Sequence, residues 1–371
     1  MAETLVRTRI HGGNPWELIR RRRFSKDEIV DFSVDLNPLG FPAGVRDAVL
    51  KCLDDIQCYP DPDARALSQA IAAYHQVPVE VVLPGNGSAE LITLVTRLQP
   101  LTKALVVVPT FTEYAWAAEQ AGAVVSYQSL EEADGFQLNV AAANWPDGLR
   151  GVDLVFLCNP NNPTGIALPK DKVLQLAHRC LAAGALLIVD EAFMEFVEQP
   201  ELCSVVPDAA SLSHVMVLRS LTKLFAVPGL RLGYLVACPS IVERLRALQQ
   251  PWPLNTFALA VGAQLFNETD YIGRSRRTIT ALRGELDRSF RAIPGLAPFP
   301  SVTNFILCKL TDERITSDEL CERLARRGIL IRNCDDFTGL EPGRWIRLAV
   351  RTQDENARLT AALREVSARA A

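Results

Sequence analysis

The segment from Ser220 to Gly233 contains residue types that can combine amine chemistry with anion binding. Lys223 stands three residues after Ser220 and eight residues before Arg231, between two apolar runs that predict strands. A lysine among apolar neighbours loses solvation, which lowers its pKa and frees the amine to attack an aldehyde. A hydroxyl and a guanidinium nearby can bind a phosphate. This combination favours a site for pyridoxal 5′-phosphate (PLP), although a surface lysine beside an ordinary strand would give the same local pattern.

Composition limits the classes of protein to which the chain can belong. Of its 371 residues, 49% are hydrophobic and 22% are charged, as in globular proteins large enough for two domains. The net charge of −4 gives no basic surface for nucleic acid. No apolar run approaches the roughly 20 residues that span a bilayer, and residues 1–10 lack the apolar core of a secretion signal.

Cysteine and histidine spacing indicates a cytoplasmic protein without a metal site. Nine cysteines are scattered along the chain without a C-x-x-C pair, and several lie within apolar runs. That distribution is typical of reduced thiols that pack as small hydrophobic groups. The four histidines share no metal-ligand spacing, so we expect no metal.

The pattern of apolar residues predicts an α/β fold. Between residues 44 and 250, runs of Val, Leu and Ile alternate with helical patterns, which favours a mostly parallel sheet covered by helices on both faces. Ligands of such sheets gather at the carboxyl ends of the strands. We expect an N-terminal arm (residues 1–43), a large domain (44–250) and a smaller α+β domain (251–371).

Four further motifs follow predicted strands. A glycine-rich turn opens a helix whose free N–H groups can bind phosphate, and a buried carboxylate at a strand end needs a partner such as a protonated pyridine nitrogen. Each motif also has a purely structural interpretation, as a turn, a rigid loop, a helix cap or a core aromatic. The residues concerned are Gly87, Ser88 and Ala89 in the turn, Asn162 in N-P-N-N-P-T-G, Asp190 in D-E-A-F, and Phe111 in P-T-F-T-E-Y.

In this order, the motifs resemble those of the fold type I PLP-dependent aminotransferases over essentially the whole chain. The resemblance implies that Lys223 carries the cofactor, that Asp190 pairs with its pyridine nitrogen, and that Asn162 donates a hydrogen bond to its ring hydroxyl oxygen. Phe111 would stack on the ring, with Tyr114 as the alternative. The residues implied in phosphate binding are Ser220, Arg231 and the backbone of Gly87, Ser88 and Ala89.

The likeness also implies a homodimer. Tyr59, in Tyr59-Pro60-Asp61, is similar to the family tyrosine that reaches the cofactor phosphate of the neighbouring subunit. One departure is Phe193, which stands where many relatives have a tyrosine. The ring oxygen would thereby lose a donor, leaving more of that role to Asn162.

The N-terminal arm resembles one group within the family, the L-threonine O-3-phosphate decarboxylases of cobalamin biosynthesis. The likeness is carried by H-G-G-N at residues 11–14, D-F-S-V-D-L-N-P-L-G at 31–40, and the segments 218–223 and 328–332. It implies a lyase that forms (R)-1-amino-2-propanol O-phosphate and CO₂. Arg347 would bind the substrate carboxylate, Arg332 and His11 its phosphate, and Asn37 and Asn162 would complete the substrate site.

Two other reactions fit the same motifs. One is transamination of histidinol phosphate with 2-oxoglutarate, and the other is decarboxylation of L-serine O-phosphate, which lacks only a methyl group. The outcome depends on which bond at Cα the arginine clamp orients for cleavage. A second departure concerns Asp35, where this family more often has asparagine. A carboxylate facing the substrate phosphate would repel it, so Asp35 should be paired or turned away unless the substrate differs.

Overall fold

The computed structural model describes residues 12–22, 24–141 and 145–368 of the chain. Within these ranges the protein forms short strands separated by helices. The strands are β1 (Val30–Asp31), β2 (Val82–Asn86), β3 (Lys103–Val108), β4 (Val124–Ser129), β5 (Leu154–Cys158), β6 (Leu186–Asp190), β7 (Val215–Ser220), β8 (Leu232–Ala237), β9 (Leu296–Pro298), β10 (Phe305–Leu310), β11 (Ile329–Leu330), β12 (Arg332–Asn333) and β13 (Trp345–Ala349).

The helices of the described ranges vary in length from 4 to 23 residues. They are α1 (Pro15–Arg22), α2 (Ala43–Lys51), α3 (Arg65–His75), α4 (Gly87–Val95), α5 (Glu113–Gln120), α6 (Lys170–Ala183), α7 (Val206–Ala209), α8 (Pro239–Leu248), α9 (Thr256–Leu265), α10 (Thr269–Arg291), α11 (Ser317–Ala325) and α12 (Gln353–Ala368). None of them is long and apolar enough to cross a membrane.

Seven strands form the large sheet, in the order β2-β8-β7-β6-β5-β3-β4. Strands β3 to β7 pair in parallel, whereas β8 is antiparallel to both β2 and β7. The reason is the short connection: only residues 221–231 separate β7 from β8, and a parallel neighbour needs a longer crossover. The predicted α/β class and mostly parallel sheet are confirmed, with this one reversal.

Burial on both faces explains why the central strands are almost purely apolar. Every residue of β5 and β7 is buried. Val155 and Val217 point into one core cluster, and Phe156 and Met216 point into the cluster on the opposite face. This alternation follows from the two-residue period of a strand. The sheet therefore holds the ends of β5, β6 and β7 in fixed positions.

The C-terminal third forms a four-stranded antiparallel sheet, β12-β13-β10-β9. Two short strands lie close together at residues 329–333: β11 pairs with β1 of the N-terminal arm, and β12 pairs with β13. In the latter pair Arg332 lies directly opposite Arg347. The division of the chain at residues 44 and 251 stays a prediction.

Candidate active site

A cavity of about 460 Å³ lies at the carboxyl ends of the parallel strands. This volume is in the range of small-molecule and cofactor sites. Most of the site residues predicted from the sequence line it, namely Gly87, Ser88, Ala89, Phe111, Asn162, Asp190, Ser220, Lys223, Arg231, Arg332 and Arg347. Residues as far apart as 87 and 347 thus converge on one space.

Lys223 follows the end of β7, in the loop that turns back into β8. Its Nζ lies 5.7 Å from the centre of the Phe193 ring. Burial lowers the pKa of the Lys223 amine, while the Asp35 carboxylate opposes that shift. A lowered pKa increases the fraction of neutral amine that can act as a nucleophile.

Asp190 ends β6 and is 4% exposed. Its Oδ2 accepts a hydrogen bond of 2.7 Å from the Tyr114 hydroxyl, and its Oδ1 accepts one of 2.9 Å from the Ala192 backbone N–H. Burial raises the pKa of Asp190, and the bond from Tyr114 lowers it. The sequence indicated Tyr114 only as an alternative stacking residue. In the structure its hydroxyl bonds to this carboxylate and its ring stacks on Phe156.

Replacing Tyr114 by phenylalanine is expected to weaken PLP binding by at least about tenfold, because a hydrogen bond to a charged group contributes about 1.5–3 kcal/mol. The ring would stay, and only the donor to Asp190 would be lost. The dissociation constant is measured by titrating apoprotein with PLP and following its absorbance.

The matched control is Tyr234→Phe, which removes another buried tyrosine hydroxyl, one bonded to His75 Nε2 at 2.7 Å. Tyr234 does not line the cavity. Equal PLP affinities in the two variants would show that the hydroxyl of Tyr114 does not act through Asp190.

The turn at the end of β2 brings backbone and side-chain donors together. Gly87 begins α4 with φ +76°, and a Cβ there would lie 3.0 Å from Arg231 Nη2. A Cβ on Gly233 would lie 2.7 Å from the Ser88 backbone nitrogen. Only glycine allows both approaches without a shift of neighbouring atoms. The helix N-terminus and the Arg231 guanidinium therefore border the same part of the cavity.

Two hydroxyls extend this donor set. Ser220 Oγ lies 2.7 Å from Thr222 Oγ1, and both residues line the cavity. Helix N–H groups, hydroxyls and a guanidinium at one end fit a phosphate. Asp190 and Lys223 supply a carboxylate and an amine. The residues of the cavity thus fit PLP at each of its functional groups.

Arg347 occupies the second side of the cavity. It is 5% exposed, and its Nη1 donates a hydrogen bond to Asn162 Oδ1. Its Nη2 lies 2.8 Å from Asp35 Oδ2 and donates to the Ser33 carbonyl oxygen at 3.1 Å. Asp35 is therefore paired, which is one of the outcomes expected for this departure. Burial lowers the pKa of Arg347 and raises that of Asp35.

Arg332, also 5% exposed, lies beside Arg347 on the neighbouring strand. Its Nη2 donates to both oxygens of Asp336, at 2.8 and 2.7 Å, and its Nη1 donates to the Asn333 carbonyl oxygen at 2.8 Å. The guanidinium also lies 4.9 Å from the centre of the Phe337 ring. The Asp336 partner gave no signal in the sequence, because nothing in the local pattern showed that its side chain turns back onto Arg332.

Asn37 does not line the cavity, and its role in substrate binding stays a prediction. Its Nδ2 donates to the Leu224 carbonyl oxygen at 2.8 Å and to Ser275 Oγ at 2.7 Å. Its backbone N–H donates to the Lys223 carbonyl oxygen at 3.0 Å. Buried amide groups are costly unless bonded, and these bonds fix the backbone that carries Lys223.

Tyr59 and His11 complete the predicted set. Tyr59 is 81% exposed and stacks on Trp252 with ring centres 4.5 Å apart, outside the cavity. His11 lies outside the described residues, although its neighbour Gly12 lines the cavity.

A buried ion pair behind the cavity joins the strands that carry the site. Arg219 precedes Ser220, and its Nη2 lies 3.0 Å from Oε2 of Glu191, the residue after Asp190. Arg219 also bonds to Glu195 at 2.8 Å. Arg219 and Glu191 are both buried, so each neutralises the charge of the other. The ion pair therefore joins the end of β6 to the end of β7.

Comparison with known proteins agrees with this geometry. The model of the family "Aminotransferase class I and II" matches residues 28–363. Threonine-phosphate decarboxylase of Salmonella typhimurium is 41% identical over 364 residues, covering 96% of each chain. The adenosylcobalamin biosynthesis bifunctional protein of Leptospira interrogans is 32% identical over 94% of this chain and 40% of its own length. The crystal structure of histidinol-phosphate aminotransferase from Clostridium acetobutylicum superposes with a TM-score of 0.84 and 29% identity, covering 91% of this chain and 99% of that one.

Proposed function

We propose that this chain, which belongs to the class I and II aminotransferase family, is a PLP-dependent lyase that converts L-threonine O-3-phosphate into (R)-1-amino-2-propanol O-phosphate and CO₂. The observation that carries the proposal is the relation to Salmonella threonine-phosphate decarboxylase, at 41% identity over nearly the full length of both chains. The histidinol-phosphate aminotransferase structure is less similar, at 29% identity. The relation to a protein of adenosylcobalamin biosynthesis supports a role in the same pathway.

Different residues of the cavity would bind different groups of the cofactor. Lys223 would bind the aldehyde carbon of PLP, Asp190 would pair with the pyridine nitrogen, and Phe111 would cover the ring. Ser220, Arg231 and the start of α4 would hold the phosphate, and all of these residues line the cavity. When bound, PLP supplies the electron sink that makes cleavage at Cα possible.

The two arginines account for the two anions of the substrate. Arg347 binds the α-carboxylate together with Asn162, to which it is already hydrogen-bonded. Arg332, opposite Arg347 in the antiparallel pair β12-β13, binds the phosphate with His11. Planar guanidinium groups match both anions in bidentate fashion. After CO₂ leaves, Lys223 Nζ delivers a proton to Cα.

The proposal includes a homodimer in a reducing compartment. Tyr59 and Trp252 form a stacked aromatic pair that is 81% and 45% exposed, and an aromatic patch of this kind is typical of protein interfaces. A second copy would cover this pair and bring Tyr59 to the neighbouring cofactor phosphate. All nine cysteines are free thiols, which supports a cytoplasmic location.

Two incubations of the purified holoenzyme test the reaction. With L-threonine O-3-phosphate, CO₂ release is measured; with histidinol phosphate and 2-oxoglutarate, glutamate formation is measured. We expect CO₂ in the first mixture and no comparable glutamate in the second. Glutamate from histidinol phosphate without CO₂ from threonine phosphate would instead establish an aminotransferase.

A further inference from the structure

Each of the two substrate-facing arginines already holds a carboxylate from this chain. Arg347 is paired with Asp35 at 2.8 Å, and Arg332 with Asp336 at 2.7 Å. The arginines lie directly opposite each other in the register of β12 and β13. Like charges in that position repel, so in this structure the two aspartates neutralise the pair.

Both terminal nitrogens of Arg347 contact protein groups. A guanidinium has five N–H donors in a planar fork, and both of its bidentate faces include Nη2. In Arg347, Nη2 contacts Asp35 Oδ2 and the Ser33 carbonyl oxygen, while Nη1 bonds to Asn162. A bidentate carboxylate therefore needs Nη2, the nitrogen that now contacts Asp35 and the Ser33 carbonyl oxygen.

Asp35 is not satisfied by this contact alone. It is 2% exposed, and its Oδ1 is buried without a hydrogen-bond partner among the described residues. Arg347 Nε is likewise buried without a partner. Because each partner keeps one buried polar atom without a hydrogen bond, this ion pair is weaker than a bidentate pair would be. The contact is thus one that an incoming carboxylate can replace with better geometry.

We propose that Asp35 competes with the substrate α-carboxylate for Arg347, so that it sets the affinity of the site for carboxylate-bearing ligands. This inference rests on the proposed function, because it takes Arg347 as the carboxylate-binding residue. Asp336 stands in the same relation to Arg332 and to the phosphate. Substrate binding is then an exchange of ion pairs, in which the carboxylates of Asp35 and Asp336 are each replaced by an anion of the substrate.

The experiment uses two ligands that each carry one of the two anions. L-Threonine has the carboxylate without the phosphate, and O-phosphoethanolamine has the phosphate without the carboxylate. Their dissociation constants are measured by calorimetry on the holoenzyme, for the wild type, Asp35→Asn and the matched variant Asp336→Asn. Asparagine keeps the shape of each side chain and removes its charge.

We expect Asp35→Asn to bind L-threonine at least about tenfold more tightly, equivalent to about 1.4 kcal/mol, with a much smaller change for O-phosphoethanolamine. Asp336→Asn should show the reverse preference. Unchanged or weaker binding of L-threonine by Asp35→Asn would overturn the inference and identify Asp35 as a residue that positions Arg347. An equal gain for both ligands would also overturn it, since it would reflect only the overall charge of the cavity.

Two controls keep the result interpretable. Thermal melting checks that the variants are folded, and Asp35→Ser provides a second neutral variant if Asp35→Asn does not fold. Decarboxylation of threonine phosphate by the wild type is measured in parallel. If the wild type releases CO₂ but Asp35→Asn does not show the expected change in affinity, only the role of Asp35 is refuted. If the wild type releases no CO₂, the proposed function is refuted.

Discussion

Lys223→Ala is expected to lose decarboxylase activity by at least about 10³-fold, because in the proposed function one amine both holds the cofactor and moves the proton at Cα. The loss should come with disappearance of the visible absorbance that covalently bound PLP gives the wild type. Lys223 sits where burial lowers the pKa of its amine, and no other lysine lines the cavity among the described residues. The variant is compared with the wild type by CO₂ release and by absorbance after addition of PLP.

The control for this variant is Lys172→Ala. The side chain of Lys172 is 47% exposed and contacts Asp171 on the surface of α6. Its removal should leave activity and absorbance unchanged. If Lys223→Ala retained the absorbance and most of the activity, the cofactor would have to be attached elsewhere, and the assignment of this loop would be wrong.

Asp190→Asn is expected to lower kcat by about 10²–10³-fold, the range found when one preorganised electrostatic group is removed. The amide keeps the shape of the side chain and can still accept the Tyr114 hydrogen bond, but it cannot hold a proton on the pyridine nitrogen by charge. PLP affinity should fall as well. Both quantities are measured by steady-state kinetics and by titration of the apoprotein.

The neighbouring carboxylate provides a matched comparison. Glu191 is 1% exposed and faces Arg219, away from the cavity. Glu191→Gln should lower the melting temperature, since it removes one partner of a buried ion pair, while the visible absorbance is retained. If Asp190→Asn behaved like Glu191→Gln, with lost stability and intact catalysis, Asp190 would be a structural residue.

Much of the fold could be predicted because apolar runs and turn residues are local signals. The strands that end at Cys158, Asp190 and Ser220 were recognisable from continuous Val, Leu and Ile runs. Their polar end residues predicted where a site would form. The antiparallel direction of β8 was not predicted, although the short loop that carries Lys223 accounts for it.

The partners of the charged residues could not be predicted, because they come from distant segments. Asp35 meets Arg347 across more than three hundred residues, and Asn37 bonds to the carbonyl oxygen of Leu224. Asp35 and Asn37 lie two positions apart in the same motif of the arm, but their surroundings differ. The family resemblance implied a substrate contact for Asn37, and the fold adds that its backbone N–H bonds to the Lys223 carbonyl oxygen.

The proposed decarboxylation requires that the bond from Cα to the carboxylate is the one broken. L-Threonine O-3-phosphate labelled with deuterium at Cα distinguishes the two reactions in one experiment. We expect the amine product to retain the deuterium while CO₂ is released and one hydrogen is taken up from water. Loss of the deuterium to solvent, with the carboxylate retained in a 2-oxo acid, would contradict decarboxylation and show that this site removes the proton instead.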